Sequence, residues 1–110
     1  MRYRARFEVL TSAAGYNVQM PPEQQSVLST QFLIAGIVRA LVDDESAVQV
    51  AVEKIGLQTV LRLHVAAQDV GKVVGKQGRT ARSLRIILGA IGMCQGVHYG
   101  LDIVQPASDW

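Results

Sequence analysis

The chain contains a single cysteine, Cys94, so it can form neither an intramolecular disulfide nor a cysteine-based zinc site. A lone thiol is typical of proteins in a reducing compartment. The longest apolar run, Phe32–Val38, is well short of the roughly 20 residues that span a bilayer. The basic start, Met1–Arg6, is not followed by the long apolar segment of a signal peptide. We therefore expect a soluble, cytoplasmic protein that does not interact with a membrane.

Residue types that carry catalysis or hold metals are also scarce. His64 and His98 are the only histidines, and neither has an evident serine, aspartate or cysteine partner in the sequence pattern. Asp69 is interpreted as the cap of a short helical turn and not as a general base. The sequence thus predicts no enzyme activity, no metal site and no cofactor.

Basic residues are present but unevenly distributed. The formal net charge is only +2, yet five of the eleven lysines and arginines lie between residues 72 and 85 with no acid among them. Arg2, Arg4 and Arg6 form a second cluster, whereas the acids are concentrated at residues 43–45. A local basic patch on a nearly neutral protein indicates a specific anion-binding site.

The length of 110 residues, about half of them hydrophobic, corresponds to one domain with its own core. We divide the chain into an N-terminal extension (1–30), a domain (31–104) and a C-terminal tail (105–110). The extension is expected to be flexible or partly a strand, because Arg2–Val9 alternate between polar and apolar residues while residues 20–25 have linker composition. Met20 is an alternative start site, in which case residues 1–19 would be absent from the cellular protein.

Hydrophobic periodicity predicts six elements in the domain. They are a helix over 31–42 capped by Ser29 or Thr30, strands over 48–53 and 59–65, a helical turn over 70–74, a long helix over 79–95 with Gly96 at its C′ position, and a strand over 97–104. This order predicts an α+β fold in which helices cover one face of a three-stranded sheet. The first helix is apolar nearly all round, so it is either a deeply packed core helix or one with a dimer face.

Two strings of the form G-x-x-G occur, and their surroundings differ. Gly89–Gly92 lies inside an apolar helical stretch without adjacent charge, so we interpret its glycines as packing residues and assign it no ligand. Gly75–Gly78 follows an apolar turn and opens the long helix at Arg79. Its glycines let a phosphate approach the backbone, the helix N-terminus supplies amide donors, and the adjacent cations add charge. Only this second loop is predicted to hold a nucleic-acid backbone.

The long helix supports this prediction, since Arg79, Arg82 and Arg85 form a stripe opposite its apolar face. Other phosphate loops fail on spacing. Walker A requires four residues between its glycines and then Lys and Ser or Thr, but Gln77 follows Lys76 here. The dinucleotide pattern requires glycine where Val73 stands.

Residues 70–85, VGKVVGKQGRTARSLR, resemble the core of the small bacterial single-KH RNA-binding proteins of the KhpA type, and the resemblance extends over residues 31–104. It implies a type II KH domain, α-β-β-α-α-β, with a mixed three-stranded sheet. It also implies that this segment binds single-stranded RNA. In such a site Gly75, Lys76, Gln77 and Gly78 would hold the backbone, Val73 and Val74 would line the groove floor, and Lys72, Arg79 and Arg82 would form its basic rim.

The same resemblance implies an RNA chaperone or post-transcriptional regulator linked to cell shape and peptidoglycan homeostasis. Such a protein would act as a homodimer or with a larger KH-containing partner. Residues 1–30 have no counterpart in the short members of the family. Two alternatives remain open from the residues: a protein-interaction adaptor with weak or no RNA binding, and a protein that binds single-stranded DNA.

Overall fold

A computed structural model describes residues 22–105, and of Glu23 only the backbone. Its regular elements are α1 (Pro22–Leu41), β1 (Gln49–Ile55), β2 (Gln58–His64), α2 (Val70–Val74), α3 (Arg79–Gln95) and β3 (His98–Ile103). The predicted α-β-β-α-α-β order is therefore confirmed. The predicted strand at Arg2–Val9, the arginine cluster within it and the tail from residue 106 lie outside the described residues.

The three strands form one mixed sheet with β2 in the centre. β1 pairs with β2 antiparallel, and β3 pairs with β2 parallel. The register places Val52, Leu61 and Leu101 side by side, so all three point to the same face. Because Leu61 is completely buried, this is the face that the helices cover. The predicted mixed sheet with helices on one side is thus confirmed.

The core lies between this sheet face and the three helices. Fully buried side chains come from every layer: Ile34, Val38, Leu61, Leu63, Val73 and Leu88. Each such aliphatic side chain contributes about 1.5–3 kcal/mol by leaving water, before the entropy of folding is subtracted. The central strand β2 is the most buried of the three, whereas the edge strand β1 is largely exposed.

Helix α1 begins at Pro22 and not at residue 31 as the sequence predicted. Proline suits the first helical position because its fixed φ matches the helix and its missing N–H has no partner there to lose. Thr30 is therefore in mid-helix and does not cap it. Its hydroxyl donates to the carbonyl oxygen of Ser26 at 3.0 Å and accepts from the phenol of Tyr99 at 3.1 Å. These bonds attach the added turns of α1 to β3.

Helix α3 ends as predicted, with Gly96 in the left-handed conformation at φ 72°. The amides of Gly96 and Val97 both donate to the carbonyl oxygen of Gly92, at 2.8 and 3.0 Å. A Cβ at Gly92 would overlap the carbonyl oxygen of Val97, so glycine allows the chain to reverse closely against the helix. Gly89 meets nothing within 4 Å. Of the two glycines in this string, only Gly92 has the packing role predicted for both.

None of the helices between residues 22 and 105 is both long enough and apolar enough to cross a membrane.

Candidate nucleic-acid interface

The loop Gly75–Gly78 connects α2 to α3 by a single 3₁₀ turn. The Gly75 amide ends α2 by donating to the carbonyl oxygen of Gly71 at 2.9 Å. The Gly78 amide then closes the turn on the carbonyl oxygen of Gly75 at 3.1 Å. Helix α3 starts at the next residue, Arg79, so the loop presents the N-terminus of a 17-residue helix to solvent.

Glycine is required at position 75 by the backbone itself. Gly75 has φ 80° and ψ 169°, a region that only glycine adopts at low cost. A Cβ there would also overlap the side chain and the backbone nitrogen of Thr80 in the first turn of α3. Gly78 is left-handed too, at φ 73° and ψ 16°, but a Cβ at that position would meet nothing within 4 Å. The first glycine therefore shapes the loop, and the second keeps its surface open.

Gln77 is the one non-glycine residue with positive φ in the described part of the chain, at φ 58° and ψ 24°. An L-residue in this conformation costs roughly 1–2 kcal/mol. Such backbone strain is found most often at ligand clamps and active sites, where the surrounding structure maintains it. The side chains of Lys76 and Gln77 are both exposed. The strained turn therefore presents two polar side chains to solvent beside a helix N-terminus.

The positive charge around the loop comes from Lys76, Arg79 and Arg82, all of which are exposed. None of the three forms an ion pair with any residue in the range 22–105. No side chain caps α3, although the amide of its first residue, Arg79, donates to the carbonyl oxygen of Lys76. The guanidinium of Arg85, the third predicted member of the stripe, donates instead to the carbonyl oxygen of Leu101 at 3.3 Å. The arginines of the stripe that have no such partner within residues 22–105 are therefore the two nearest the loop, Arg79 and Arg82.

Asp69, immediately before α2, is completely buried. It does not cap α2, in contrast to the sequence prediction. Its two carboxylate oxygens accept the backbone amides of Asp43 and Asp44, at 3.2 and 3.0 Å, in the turn after α1. The Lys72 ammonium lies 3.5 Å from the same carboxylate and also pairs with Asp43. Asp69 thus joins the end of α1 to the start of the helix that leads into the loop.

The pKa of Asp69 reflects this environment. The hydrogen bond from the Asp44 amide is the largest influence on this pKa and lowers it. The Asp43 amide and the positive charge of Lys72 lower it as well, and together they outweigh the burial, which acts in the opposite direction. Asp69 is therefore ionised at neutral pH and holds its three partners as a carboxylate.

The two valines predicted to line the groove floor differ in exposure. Val73 is completely buried and packs in the core, whereas Val74 is half-buried. Val73 has no free surface to offer a base, so it cannot line a groove as predicted. Val74, next to Gly75, is the member of the pair at the surface.

The two histidines are not part of the loop. His64 is the exposed last residue of β2, and His98 is the exposed first residue of β3. Within residues 22–105, no group of three or more histidine, cysteine, aspartate or glutamate side chains could hold a metal ion.

Comparison with known proteins identifies one family. A family model described as the KH domain of KhpA/KhpB matches residues 31–103. A protein named RNA-binding protein KhpA from Treponema pallidum is 46% identical over 72 residues, which cover 66% of this chain and 90% of that protein. Its namesake from Borreliella burgdorferi is 47% identical over 72 residues, covering 66% and 88%. The one from Listeria monocytogenes serovar 1/2a is 34% identical over 73 residues, covering 66% and 96%. No solved structure matches the chain.

The two loop glycines provide a matched test of the backbone argument. Gly78→Ala should cost about 1 kcal/mol of unfolding free energy, because alanine only has to adopt a left-handed conformation there. Gly75→Ala should cost about 3 kcal/mol or more, because it combines a less accessible backbone region with the overlap against Thr80. Urea unfolding followed by circular dichroism measures both. Equal losses in the two variants would contradict the role assigned to Gly75.

The Asp69 carboxylate makes folding depend on pH. Because the pKa of Asp69 is lower in the folded than in the unfolded chain, its stabilisation is present above its ordinary pKa of 3.8. That stabilisation is lost as the pH falls through the folded-state value. Asp69→Asn should unfold several degrees lower than wild type at neutral pH, and its Tm should fall less steeply on acidification. Parallel pH profiles of Tm for the two proteins would show that the carboxylate charge is unimportant.

Proposed function

Because the chain belongs to the KhpA/KhpB KH-domain family, we propose that it binds single-stranded RNA through the loop Gly75–Gly78. The observation that carries the proposal is the coincidence of three features at one place. The loop has a glycine-dependent, strained backbone, and it opens a helix N-terminus that no side chain caps. Lys76, Arg79 and Arg82 have no acidic partner among residues 22–105. KH domains grip about four nucleotides of a single strand with such a loop.

The proposed contacts follow from this geometry. A phosphate at the loop would accept backbone amides from the start of α3 and gain from the positive end of that helix. Lys76 and Arg79 would neutralise its charge, and Arg82, one turn further along α3, would contact a neighbouring phosphate. Val74 would offer an apolar contact to a base beside the loop. The loop then determines where the RNA backbone lies, and the groove beside it determines which bases are accepted.

Binding would be the activity, with no catalysis, metal or cofactor. We propose that the protein acts in the cytoplasm as an RNA chaperone or post-transcriptional regulator, connected to cell shape and peptidoglycan homeostasis. The support for this wider role is family membership. Single-stranded DNA is an alternative ligand, because a phosphate grip alone does not distinguish the two sugars.

The RNA proposal predicts that Lys76→Asp combined with Gln77→Asp lowers affinity for a short single-stranded RNA at least about 100-fold, since the loop would then repel phosphate. Both side chains are exposed, so the variant should keep its circular dichroism spectrum and Tm. The control is Lys54→Asp with Gln49→Asp, which makes the same change in net charge on β1. Fluorescence anisotropy with RNA and DNA of matched sequence measures all three proteins. Equal affinities of loop variant, control and wild type would remove the loop assignment.

We further propose that the outer face of α1 pairs with a second copy of the chain or with a larger KH-containing partner. Phe32 is 66% exposed and Leu33 is 50% exposed on the side of α1 away from the sheet. Gly36 and Ala40, one and two turns further on, are also exposed and lack bulk. The alternation of large and small residues would allow another helix to approach closely. One face of this helix packs in the core, and the exposed opposite face is the one that the proposed partner would cover.

Charged substitutions on the two faces of α1 separate these alternatives. Phe32→Glu should leave the fold intact and turn a homodimer into a monomer. Val38→Glu should destabilise the protein by about 3 kcal/mol or more, because it places a charge in the core. Size-exclusion chromatography with light scattering, together with thermal unfolding, measures both effects. A folded wild type that is monomeric at every concentration would exclude the homodimer.

A further inference from the structure

We infer that Lys72 is a positioning residue that orders α2 and the loop and that it does not bind RNA phosphate. The inference rests on the proposed RNA-binding function and reassigns one member of the predicted basic rim. It separates the cations near the loop into one that pairs with carboxylates and three that form no ion pair within residues 22–105.

The geometry of Lys72 differs from that of its basic neighbours. Its ammonium pairs with the exposed carboxylate of Asp43 and lies 3.5 Å from an oxygen of the buried Asp69. Through these contacts α2 is attached to the turn that follows α1 and to the residue that precedes α2. Lys76, Arg79 and Arg82 make no ion pair with the described residues. Within the described part of the chain, Lys72 is therefore the one member of the four that has acidic partners.

Moving Lys72 to a phosphate would leave the Asp69 carboxylate without its cation. A buried charge that loses its partner is strongly unfavourable, because no water replaces the lost interaction. The hydrogen bond to Asp43 and the charges of both carboxylates raise the pKa of Lys72, so its charged form is favoured in this cluster. Moving the Lys72 ammonium from the carboxylates to a phosphate would therefore cost more free energy than moving a surface lysine that has no ion pair.

The local charge also directs phosphate elsewhere. One ammonium faces the two carboxylates of Asp43 and Asp69, and Asp44 and Glu45 follow in the same turn. The Lys72 ammonium is therefore outnumbered by the carboxylates it contacts, although the sequence places it at the start of a basic run. Lys76, Arg79 and Arg82 are exposed and have no acidic partner among residues 22–105. An RNA phosphate should therefore bind these three residues in preference to Lys72.

Salt dependence separates a positioning lysine from a phosphate ligand. Each phosphate contact on a single strand contributes about 0.7 to the slope of log affinity against log salt concentration. We propose titrating a labelled oligouridine with wild type, Lys72→Gln, Lys72→Arg and Lys76→Gln between about 50 and 200 mM salt. Lys76→Gln should lose about 0.7 of the slope. Lys72→Gln should bind severalfold more weakly with the wild-type slope, and Lys72→Arg should restore the affinity.

A loss of about 0.7 of the slope in Lys72→Gln would overturn the inference, since Lys72 would then be a phosphate ligand. Amide hydrogen exchange without RNA tests the positioning role independently. Lys72→Gln should accelerate exchange at Asp44, whose amide donates to Asp69 at 3.0 Å, and at Gly75, whose amide ends α2. Lys76→Gln should leave both rates unchanged.

Unchanged exchange at both amides in Lys72→Gln would also overturn the inference. If wild type fails to bind oligouridine while Lys72→Gln still accelerates exchange, the proposed function falls and the positioning role stands. The two claims therefore fail on different measurements.

Discussion

The buried carboxylate of Asp69 is the interaction on which the placement of the loop depends. It receives two backbone amides from the turn after α1 and the charge of Lys72 from α2. These partners belong to segments separated by more than twenty residues, so the carboxylate fastens two parts of the chain that hydrophobic contacts alone would align less specifically. A carboxylate without partners at the buried Asp69 position would carry a large desolvation cost, so arrangements that break these contacts are disfavoured.

The loop itself needs that support because its backbone is not relaxed. Gly75 adopts a conformation reserved for glycine, and Gln77 is left-handed at a cost that the rest of the fold must offset. On one side α2 is tied through Asp69, and on the other α3 packs its apolar face on the sheet through Leu84 and Leu88. Between these two fixed helices the turn keeps a shape in which the side chains of Lys76, Gln77 and Arg79 are exposed to solvent. Lys72 pairs with carboxylates of the fold, whereas Lys76, Arg79 and Arg82 form no ion pair within residues 22–105 and are available to a ligand.

Local patterns in the sequence were sufficient for much of this arrangement. The element order, the alternating faces of β2, the end of α3 at Gly96 and the position of the loop between two helices follow from periodicity and glycine placement. The start of α1 was missed because Pro22 is as typical of a linker as of a first helical residue. Thr30 resembles a cap, but its hydroxyl is used within the helix and by Tyr99.

The role of Asp69 could not be inferred from spacing. An aspartate before a helical turn fits a cap equally well, and its actual partners at positions 43 and 44 come close only in the folded chain. The same contact explains why Lys72 was grouped with the free cations, since no acid interrupts residues 72–85. Gly75 shows the opposite case, because the motif identified the residue while the structure supplied the reason in its φ and its contact with Thr80.

We propose that a single RNA strand lies along Gly75–Gly78 and the first turn of α3. Nuclear magnetic resonance of the ¹⁵N-labelled protein, titrated with a short single-stranded RNA, locates the bound strand residue by residue. Amide shifts are expected to concentrate from Val74 to Arg82. Shifts confined to the outer face of α1 or to the uncovered face of the sheet, with the loop amides unmoved, would contradict it.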